Sequence, residues 1–260
     1  MRHSSLASAF AAVAVLSVPG VRSATGALPS SRLVAQQQPP PPPPAAPRSP
    51  FEGPAPAPSA IERVGPNTIR IGSILVDTAK KEFSVAGFVN DVTVLEFLAN
   101  TKGGWKGYES ALELETNAIN FNVACLLIGL DPAGAVVARR QFDDQPPQGQ
   151  PVELFVEWDE NGQRRRVRAE QLIYNRTTKQ TLSEGPWVFT GSVFLEGNVY
   201  MAETEGVLVG FMHTVAPIIE SPRTFIGSYG ESMINPELNL KPGAPVTMTV
   251  RALPRTPIKN

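Results

Sequence analysis

The stretch VELFVEWDENGQRRRVRA, residues 152–169, predicts a β-hairpin. Its Asn161-Gly162 dipeptide favours the positive φ angles of a type I′ turn between two strands. Successive side chains of a strand point to opposite faces of the sheet. The alternation therefore places one set of apolar side chains on a common face, which we expect to cover the core: Val152, Leu154, Val156, Trp158, Val167 and Ala169.

The other face of this hairpin carries charges of both signs. It presents Glu153, Glu157 and Asp159 from the first strand and Arg164, Arg166 and Arg168 from the second. We interpret it as a solvated, cross-paired face in which each ion pair contributes only about 0.2–1 kcal/mol. An anion-binding patch is the alternative. Arg165 has the parity of the apolar face and is expected near Trp158.

Short apolar runs separated by turn residues continue on both sides of the hairpin. They predict strands over Thr68–Val76, Glu82–Val89, Val92–Leu98, Tyr108–Leu114, Trp187–Leu195, Val199–Ala202, Val207–Val215 and Val246–Val250. The spacing is too short for repeated crossover helices, so the pairing should be mostly antiparallel.

One helix is predicted over Ala118–Ile128, where apolar residues recur at helical spacing. Thr116 or Asn117 can cap its start, and Gly129 can close its end. The expected fold class is α+β: mostly antiparallel β-sheet with one clear helix, at about residues 118–128, in a single domain over residues 61–260.

The N-terminal residues have the organisation of a secretory signal peptide, which we place at residues 1–27. Arg2 and His3 precede an almost entirely apolar run, Leu6–Val18, and small residues follow. Export would make the mature protein secreted or periplasmic, with membrane contact only transiently through the signal peptide. Retention of this segment as an N-terminal anchor is the alternative.

A proline-rich linker is predicted over residues 28–60. Half of the chain's 26 prolines lie in the first 60 residues. A segment without backbone donors or apolar side chains cannot build a core, so we expect a disordered, extended spacer. A docking motif for a proline-reading partner is the alternative.

Composition excludes several function classes. The first 60 residues carry a net charge of +3 and the whole chain −1, so the remainder is −4 and unsuited to nucleic acid. The single cysteine, Cys125, excludes an intrachain disulfide and a zinc site with four thiolates. His213 is the only histidine after residue 3, which excludes a His-rich metal site. We expect neither a metal nor a cofactor.

Two glutamates are the candidate catalytic residues. Glu96 lies inside the apolar run Val94–Leu98, and Glu109 opens the strand predicted at Tyr108–Leu114. Burial would raise the pKa of such a carboxyl group, and a pair of carboxyls with different pKa values can act as acid and base. The alternative is an exposed face, because Glu109, Glu113 and Glu115 share one parity.

Several segments in a fixed order resemble the YdjY-type domain of bacterial exported proteins. The similarity runs over roughly residues 70–250 and rests on LEFL (95–98), YES (108–110), LLIG (126–129), GQPV (149–152), WVFTGS (187–192), EG (205–206) and PGAPV (242–246). The resemblance implies export and one shared domain, and it implies no reaction. It marks Glu109, Trp187 and Ser192 as recurring motif members. Tyr108 stands where the family pattern has histidine, so no role of that histidine is carried over.

Two hypotheses follow. The first is a non-enzymatic exported module that binds a protein, an envelope component or a small ligand, with Tyr108, Trp187 and Ser192 as candidate binding residues. The second is a hydrolase-like enzyme that uses Glu96 or Glu109 as acid or base.

Overall fold

The computed structural model describes residues 59–223 and 229–254. The predicted signal peptide and nearly all of the predicted linker lie outside these residues. The described residues all fall within one compact unit. They are mostly β-structure with two α-helices, which confirms the mostly β character and the helix at residues 118–128. None of the helices in these two ranges is long and apolar enough to cross a membrane.

The strands, numbered in chain order, are β1 (Ile61–Arg63), β2 (Thr68–Ile71), β3 (Ile74–Asp77), β4 (Glu82–Val89), β5 (Phe97–Thr101), β6 (Ser110–Leu114), β7 (Gln150–Glu160), β8 (Gln163–Arg168), β9 (Ile173–Asn175), β10 (Gln180–Thr181), β11 (Trp187–Phe189), β12 (Phe194–Leu195), β13 (Val199–Tyr200), β14 (Val207–Gly210), β15 (Ile219–Glu220), β16 (Ser232–Ile234) and β17 (Pro245–Ala252). The helices are α1 (Ala118–Leu127) and α2 (Met201–Glu205). Short 3-10 turns cover Trp105–Glu109, Ala169–Leu172, Glu196–Asn198 and Pro236–Leu238.

Eight strands pair in a ring, in the order β4-β17-β7-β11-β15-β14-β5-β6, and β6 returns to β4. We call this ring the closed sheet. The ring closes where β6 pairs with β4. At this point β6 lies so close to Gly87 of β4 that a Cβ atom on residue 87 would be 2.3 Å from the carbonyl oxygen of Glu113, so glycine is required. Strands β1 to β3 extend the sheet beyond β4, and β8 pairs with β7. Two pairs, β5–β6 and β14–β15, are parallel, and the other pairs of the closed sheet are antiparallel.

The hairpin predicted from residues 152–169 is confirmed. Val156 pairs with Val167, and Asn161 and Gly162 have φ angles of 55° and 81°, as a type I′ turn requires. Val152, Leu154, Val156 and Trp158 are buried in the main core cluster.

The cross-paired charges on the other face of the hairpin are also confirmed. Glu157 accepts hydrogen bonds from Arg164, with Nε at 2.9 Å, and forms an ion pair with Arg166 at 3.0 Å. Arg168 pairs with Glu153 at 2.8 Å. The Arg165 guanidinium lies 5.9 Å from the Trp158 ring centroid, as its parity predicted.

The predicted helix forms α1. The Asn117 side chain accepts a hydrogen bond from the Asn120 amide, so Asn117 is the N-cap. Phe121 packs edge-to-face on Phe83 of β4, with ring centroids 5.1 Å apart. Cys125 is fully buried, and burial raises the pKa of its thiol well above the usual range.

Six of the predicted strands are wrong in part. Thr68–Val76 divides into β2 and β3, Tyr108–Leu114 is a strand only from Ser110, and Val207–Val215 is a strand only to Gly210.

Val199–Ala202 is a strand only to Tyr200, because α2 begins at Met201. Helix α2 presents Glu203, whose Oε2 accepts from the backbone amides of Ala118 and Ile119 at the start of α1. The run Val92–Leu98 becomes strand only at Phe97.

The predicted strand Trp187–Leu195 is also interrupted, because β11 ends at Phe189 and only Phe194 and Leu195 are again in a strand, β12. Gly191 and Ser192, with φ angles of 76° and 61°, turn the chain away from the closed sheet. The Thr190 hydroxyl lies 3.1 Å from the Pro217 carbonyl oxygen and fixes this departure.

Candidate functional site

The two candidate glutamates lie side by side because of the parallel pairing between β5 and β6. Glu96 directly precedes β5, and Glu109 directly precedes β6. Parallel strands start at the same edge of a sheet, and Phe97 is paired with Ser110. The Glu96 amide donates a hydrogen bond to the Glu109 carbonyl oxygen at 2.9 Å. Both side chains are almost fully covered, since Glu96 is 3% and Glu109 6% exposed.

Lys106 supplies a positive charge that acts on both carboxyl groups and forms an ion pair with Glu109. The 3-10 turn Trp105–Glu109 brings Lys106 Nζ to 2.7 Å from Glu109 Oε1. Burial opposes the charge of Lys106, but the hydrogen bond and charge of Glu109 outweigh burial and raise the pKa of Lys106. The ammonium group therefore remains protonated and is a poor nucleophile.

Glu96 is the carboxyl group of the pair that holds its proton more strongly than usual. Burial is the largest cause that raises the pKa of Glu96, and the charge of Glu109 raises it further. Lys106 and a hydrogen bond from Gln141, with Nε2 at 3.1 Å from Glu96 Oε2, act in the opposite direction.

The segment that carries Gln141 is anchored by His213. The Phe142 amide donates to the His213 carbonyl oxygen at 2.8 Å, and His213 Nδ1 lies 2.8 Å from the Asp143 carbonyl oxygen. His213 Nε2 faces the carbonyl oxygens of Ser221 and Arg223. His213 thus holds two chain segments together and does not touch the glutamates' carboxyl groups through any of these bonds.

Two exposed aromatic rings belong to the same 3-10 turn as Lys106 and Glu109. Trp105 is 48% and Tyr108 59% exposed, and their rings meet edge-to-face with centroids 6.2 Å apart. Lys106 Nζ lies 5.7 Å from the Tyr108 ring centroid and 5.8 Å from that of Phe97, both within cation–π range. Burial, and then the charge of Glu109, raises the pKa of Tyr108. We call Glu96, Trp105, Lys106, Tyr108 and Glu109 the charge–aromatic site.

The loop that carries the aromatic rings is closely packed on the chain beside it. A Cβ atom on Gly104 would lie 2.6 Å from Thr101 Oγ1 and 2.9 Å from the Gly206 carbonyl oxygen, so only glycine fits there. The Thr101 amide donates to the same Gly206 carbonyl at 2.8 Å. This packing fixes the backbone at the start of the 3-10 turn that carries the two rings.

The other two binding candidates lie elsewhere. Trp187 is fully buried in β11, which is separated from β5 by β15 and β14 in the closed sheet, and the Arg223 guanidinium lies 5.4 Å from its ring centroid. Ser192 lies in the turn after β11, where its hydroxyl donates to the Ala216 carbonyl oxygen at 2.6 Å. The structure therefore unites Glu96, Glu109 and Tyr108 but neither Trp187 nor Ser192.

Sequence reasoning missed Trp105, Lys106 and Gln141. Trp105 and Lys106 lie in the glycine-rich stretch Gly103–Gly107, whose composition is typical of a turn between strands. The spacing of Lys106 and Glu109, three residues apart, is the signal that could have revealed their pairing within one turn. Gln141 offered no signal, since it is 45 residues from Glu96.

The described residues form no metal centre, and the two cavities beside the hairpin lie apart from the charge–aromatic site. Within residues 59–223 and 229–254, no group of three or more His, Cys, Asp or Glu side chains is arranged to hold a metal ion. Two cavities of about 370 and 280 Å³ lie on the outer face of the hairpin and its neighbours, and both are lined by Glu157, Arg164 and Thr247. Neither cavity is lined by a residue of the charge–aromatic site.

Comparison with known proteins identifies one family. A family model described as YdjY domain matches residues 74–251, which covers the closed sheet and the charge–aromatic site. No curated protein and no solved structure matches the chain significantly.

Proposed function

The chain belongs to the YdjY domain family, and from that premise we propose that it is an exported, non-enzymatic module that binds its partner through the charge–aromatic site. The partner is a protein, an envelope component or a small ligand. Export is supported by the basic start, apolar run and small residues of the N-terminal sequence. The expected location is secreted or periplasmic, and the proline-rich segment would serve as a spacer.

One observation carries the binding role. The charged groups of the site are covered and have hydrogen-bond or ion-pair partners, whereas the aromatic rings in the same turn are exposed. Exposed tryptophan and tyrosine supply large contact areas at a low entropic cost, and they are enriched in binding interfaces. An exposed aromatic pair in the same turn as buried, paired charges is therefore better suited to binding a ligand than to transferring protons.

Removal of the aromatic pair tests this role. We expect the double variant Trp105→Ala/Tyr108→Ala to lose at least ten-fold in affinity for isolated bacterial envelope material, measured by co-sedimentation of the purified protein. Its melting temperature should change little, because both rings are exposed. Tyr229→Ala is the matched control, since Tyr229 is 68% exposed and lies outside the site. Equal binding by the double variant and Tyr229→Ala would refute the role of the site.

A hydrolase-like enzyme is the second candidate. It is favoured by the pairing of Glu96 with Glu109, because one carboxyl group with a raised pKa beside another carboxylate is the arrangement of an acid–base pair. The binding proposal predicts no turnover of glycan or peptide polymers above background in the wild type, Glu96→Gln or Glu109→Gln. Wild-type turnover that either substitution reduces 100-fold or more would establish the enzyme instead.

A further inference from the structure

The two cavities on the outer face of the hairpin adjoin each other and form one open trough. Glu157, Arg164 and Thr247 line both cavities, whose volumes are about 370 and 280 Å³. The lining runs along β4 from Glu82 to Phe88, a length of about 20 Å at the usual rise per residue of a strand. We call these two joined cavities the outer trough.

Small side chains at facing positions of neighbouring strands make the floor of the outer trough. Ala86 of β4 pairs with Thr247 of β17, and Ser84 pairs with Thr249. Because these side chains are short, the space above them stays open between the larger side chains on either side. Three of the four carry a hydroxyl group, which can both donate and accept a hydrogen bond.

The two sides of the outer trough differ in chemistry. Leu75 and Phe88, on β3 and β4, form an apolar side and are 44% and 42% exposed. Arg164 and Arg166 of β8 form the opposite side. Glu157 holds both guanidinium groups, with its Oε2 at 2.9 Å from Arg164 Nε and its Oε1 at 3.0 Å from Arg166 Nη1. A guanidinium has five N–H donors, so both arginines keep donors for a ligand.

The ionised groups of the outer trough carry no net charge. Lys80 pairs with Asp77 at 3.1 Å, and Arg251 pairs with Glu82 at 2.9 Å. Strand pairing sets the other two cations opposite the other two carboxylates. Four cations and four carboxylates therefore line the trough or pair with a lining group: Lys80, Arg164, Arg166, Arg251, Asp77, Glu82, Glu157 and Asp159. Such a lining offers donors and acceptors side by side and does not favour a ligand of either charge.

We propose that the outer trough binds a linear, uncharged oligosaccharide. Each sugar hydroxyl both donates and accepts hydrogen bonds, which matches the arginine N–H groups, the carboxylate oxygens and the hydroxyl groups of the lining. The apolar C–H face of a sugar ring can pack on the exposed ring of Phe88. A length of about 20 Å accommodates about four sugar rings. The outer trough is separate from the charge–aromatic site, so this assignment goes beyond the proposed function.

Other ligand classes fit the outer trough less well. Extended peptides are commonly bound by addition to a free strand edge. The strands under the trough, β4, β17 and β7, are paired with other strands on both sides and offer no such edge. An anion would meet the carboxylates of Glu157 and Asp159 beside the two arginines, and a cation would meet Arg164 and Arg166.

Calorimetric titration of the full chain with four probes of similar length tests the assignment. The probes are chitotetraose and maltotetraose, which are uncharged, the anionic tetragalacturonate, and an uncharged hexapeptide of alternating serine and alanine. We expect at least one uncharged tetrasaccharide to bind at least ten-fold more tightly than the anionic sugar and the peptide.

Two variants place the binding in the outer trough. Ala86 is exposed, so Ala86→Trp should fold normally while its indole fills the floor, and we expect at least a ten-fold loss of affinity for the preferred tetrasaccharide. Arg164→Ala should lose at least five-fold, because it removes N–H donors of a side chain that is 73% exposed. Ala133→Trp, at an exposed alanine outside both cavities, is the matched control and should bind like the wild type. Circular dichroism verifies that each variant is folded.

Each other outcome overturns the proposal. A preference for tetragalacturonate would make the trough an anion site, and a preference for the hexapeptide would make it a peptide site. Absence of binding by both uncharged tetrasaccharides, or binding that either Ala86→Trp or Arg164→Ala leaves unchanged, also contradicts it. Trp105→Ala/Tyr108→Ala should bind the tetrasaccharides like the wild type, so this test and the envelope assay can fail independently. Where both sites bind the same envelope material, loss of either removes the avidity of the pair.

Discussion

Replacement of Trp187 by alanine is expected to lower the free energy of unfolding by about 3–5 kcal/mol, the usual cost of removing a large buried aromatic ring. Trp187 is fully buried in the main core cluster, and Arg223 covers its ring. The cavity left behind would lie inside the closed sheet, where strands on both sides limit collapse. Urea unfolding followed by far-ultraviolet circular dichroism measures the loss.

Replacement of Trp187 by phenylalanine separates the effect of lost ring volume on stability from the effect of a lost hydrogen bond. Trp187 Nε1 is buried and has no hydrogen-bond partner in the part of the chain that the structure describes, so Trp187→Phe removes none of the hydrogen bonds found there and loses only part of the ring volume. We expect it to cost less than half as much as Trp187→Ala and to leave envelope binding unchanged. A Trp187→Phe variant of wild-type stability that no longer binds would instead make Trp187 a binding residue.

Glu220→Gln is expected to change how stability depends on pH, by on the order of a few kcal/mol at alkaline pH. Glu220 lies in β15, between β11 and β14 of the closed sheet, and its side chain is fully buried. Burial raises the pKa of Glu220 to about 8, and a hydrogen bond from the Thr214 amide to Oε1 only partly offsets it. Glu220 Oε2 is buried and has no hydrogen-bond partner among residues 59–223 and 229–254.

The direction of this change in stability follows from the number of protons that the folded and the unfolded protein bind. Between the ordinary glutamate pKa and about 8 the folded protein holds a proton that the unfolded chain has released, so the wild type loses stability as pH rises through this window. Glutamine remains neutral at every pH. The stability of Glu220→Gln relative to the wild type should therefore increase from pH 5 to pH 8.5 and then become constant.

Urea unfolding of both proteins at half-unit pH intervals provides the measurement. Glu237→Gln is the control, because an exposed carboxylate should leave the pH profile of the wild type unchanged. A constant difference between Glu220→Gln and the wild type over the whole range would mean that Glu220 is ionised in the folded protein throughout. The buried carboxyl group would then require a compensating cation.

Local patterns in the sequence predicted the parts of the fold that depend on neighbouring residues. The alternation around Asn161-Gly162 predicted both faces of the β7–β8 hairpin, and the caps of α1 predicted its limits. Closure of the sheet was not predicted, because it depends on pairs that are far apart in sequence, such as Gly87 with Leu114 and with Val246. The periodicity of residues within a short segment of sequence does not indicate such pairs.

The same limit applies to the candidate site. Glu96 and Glu109 were each identified from an acidic residue at an apolar strand. Their meeting depends on the parallel pairing of β5 with β6, whereas the sequence predicted antiparallel neighbours. Parity also assigned Glu109 to an exposed face with Glu113, but the 3-10 turn at Trp105–Glu109 breaks that alternation before β6 begins.

The position of β17 determines the order in which this protein can fold. β17 lies between β4 and β7, and it joins Arg251 to Glu82 across 169 residues of chain. Before residues 245–252 pair as β17, β4 and β7 each have an unpaired edge at the position of β17, and the ring is open. Pairing over such separations is slow, and open edges can recruit strands of other molecules. A nascent chain that ends before β17 should therefore remain incompletely folded, and its passage from synthesis to the native state should be the stage most sensitive to aggregation.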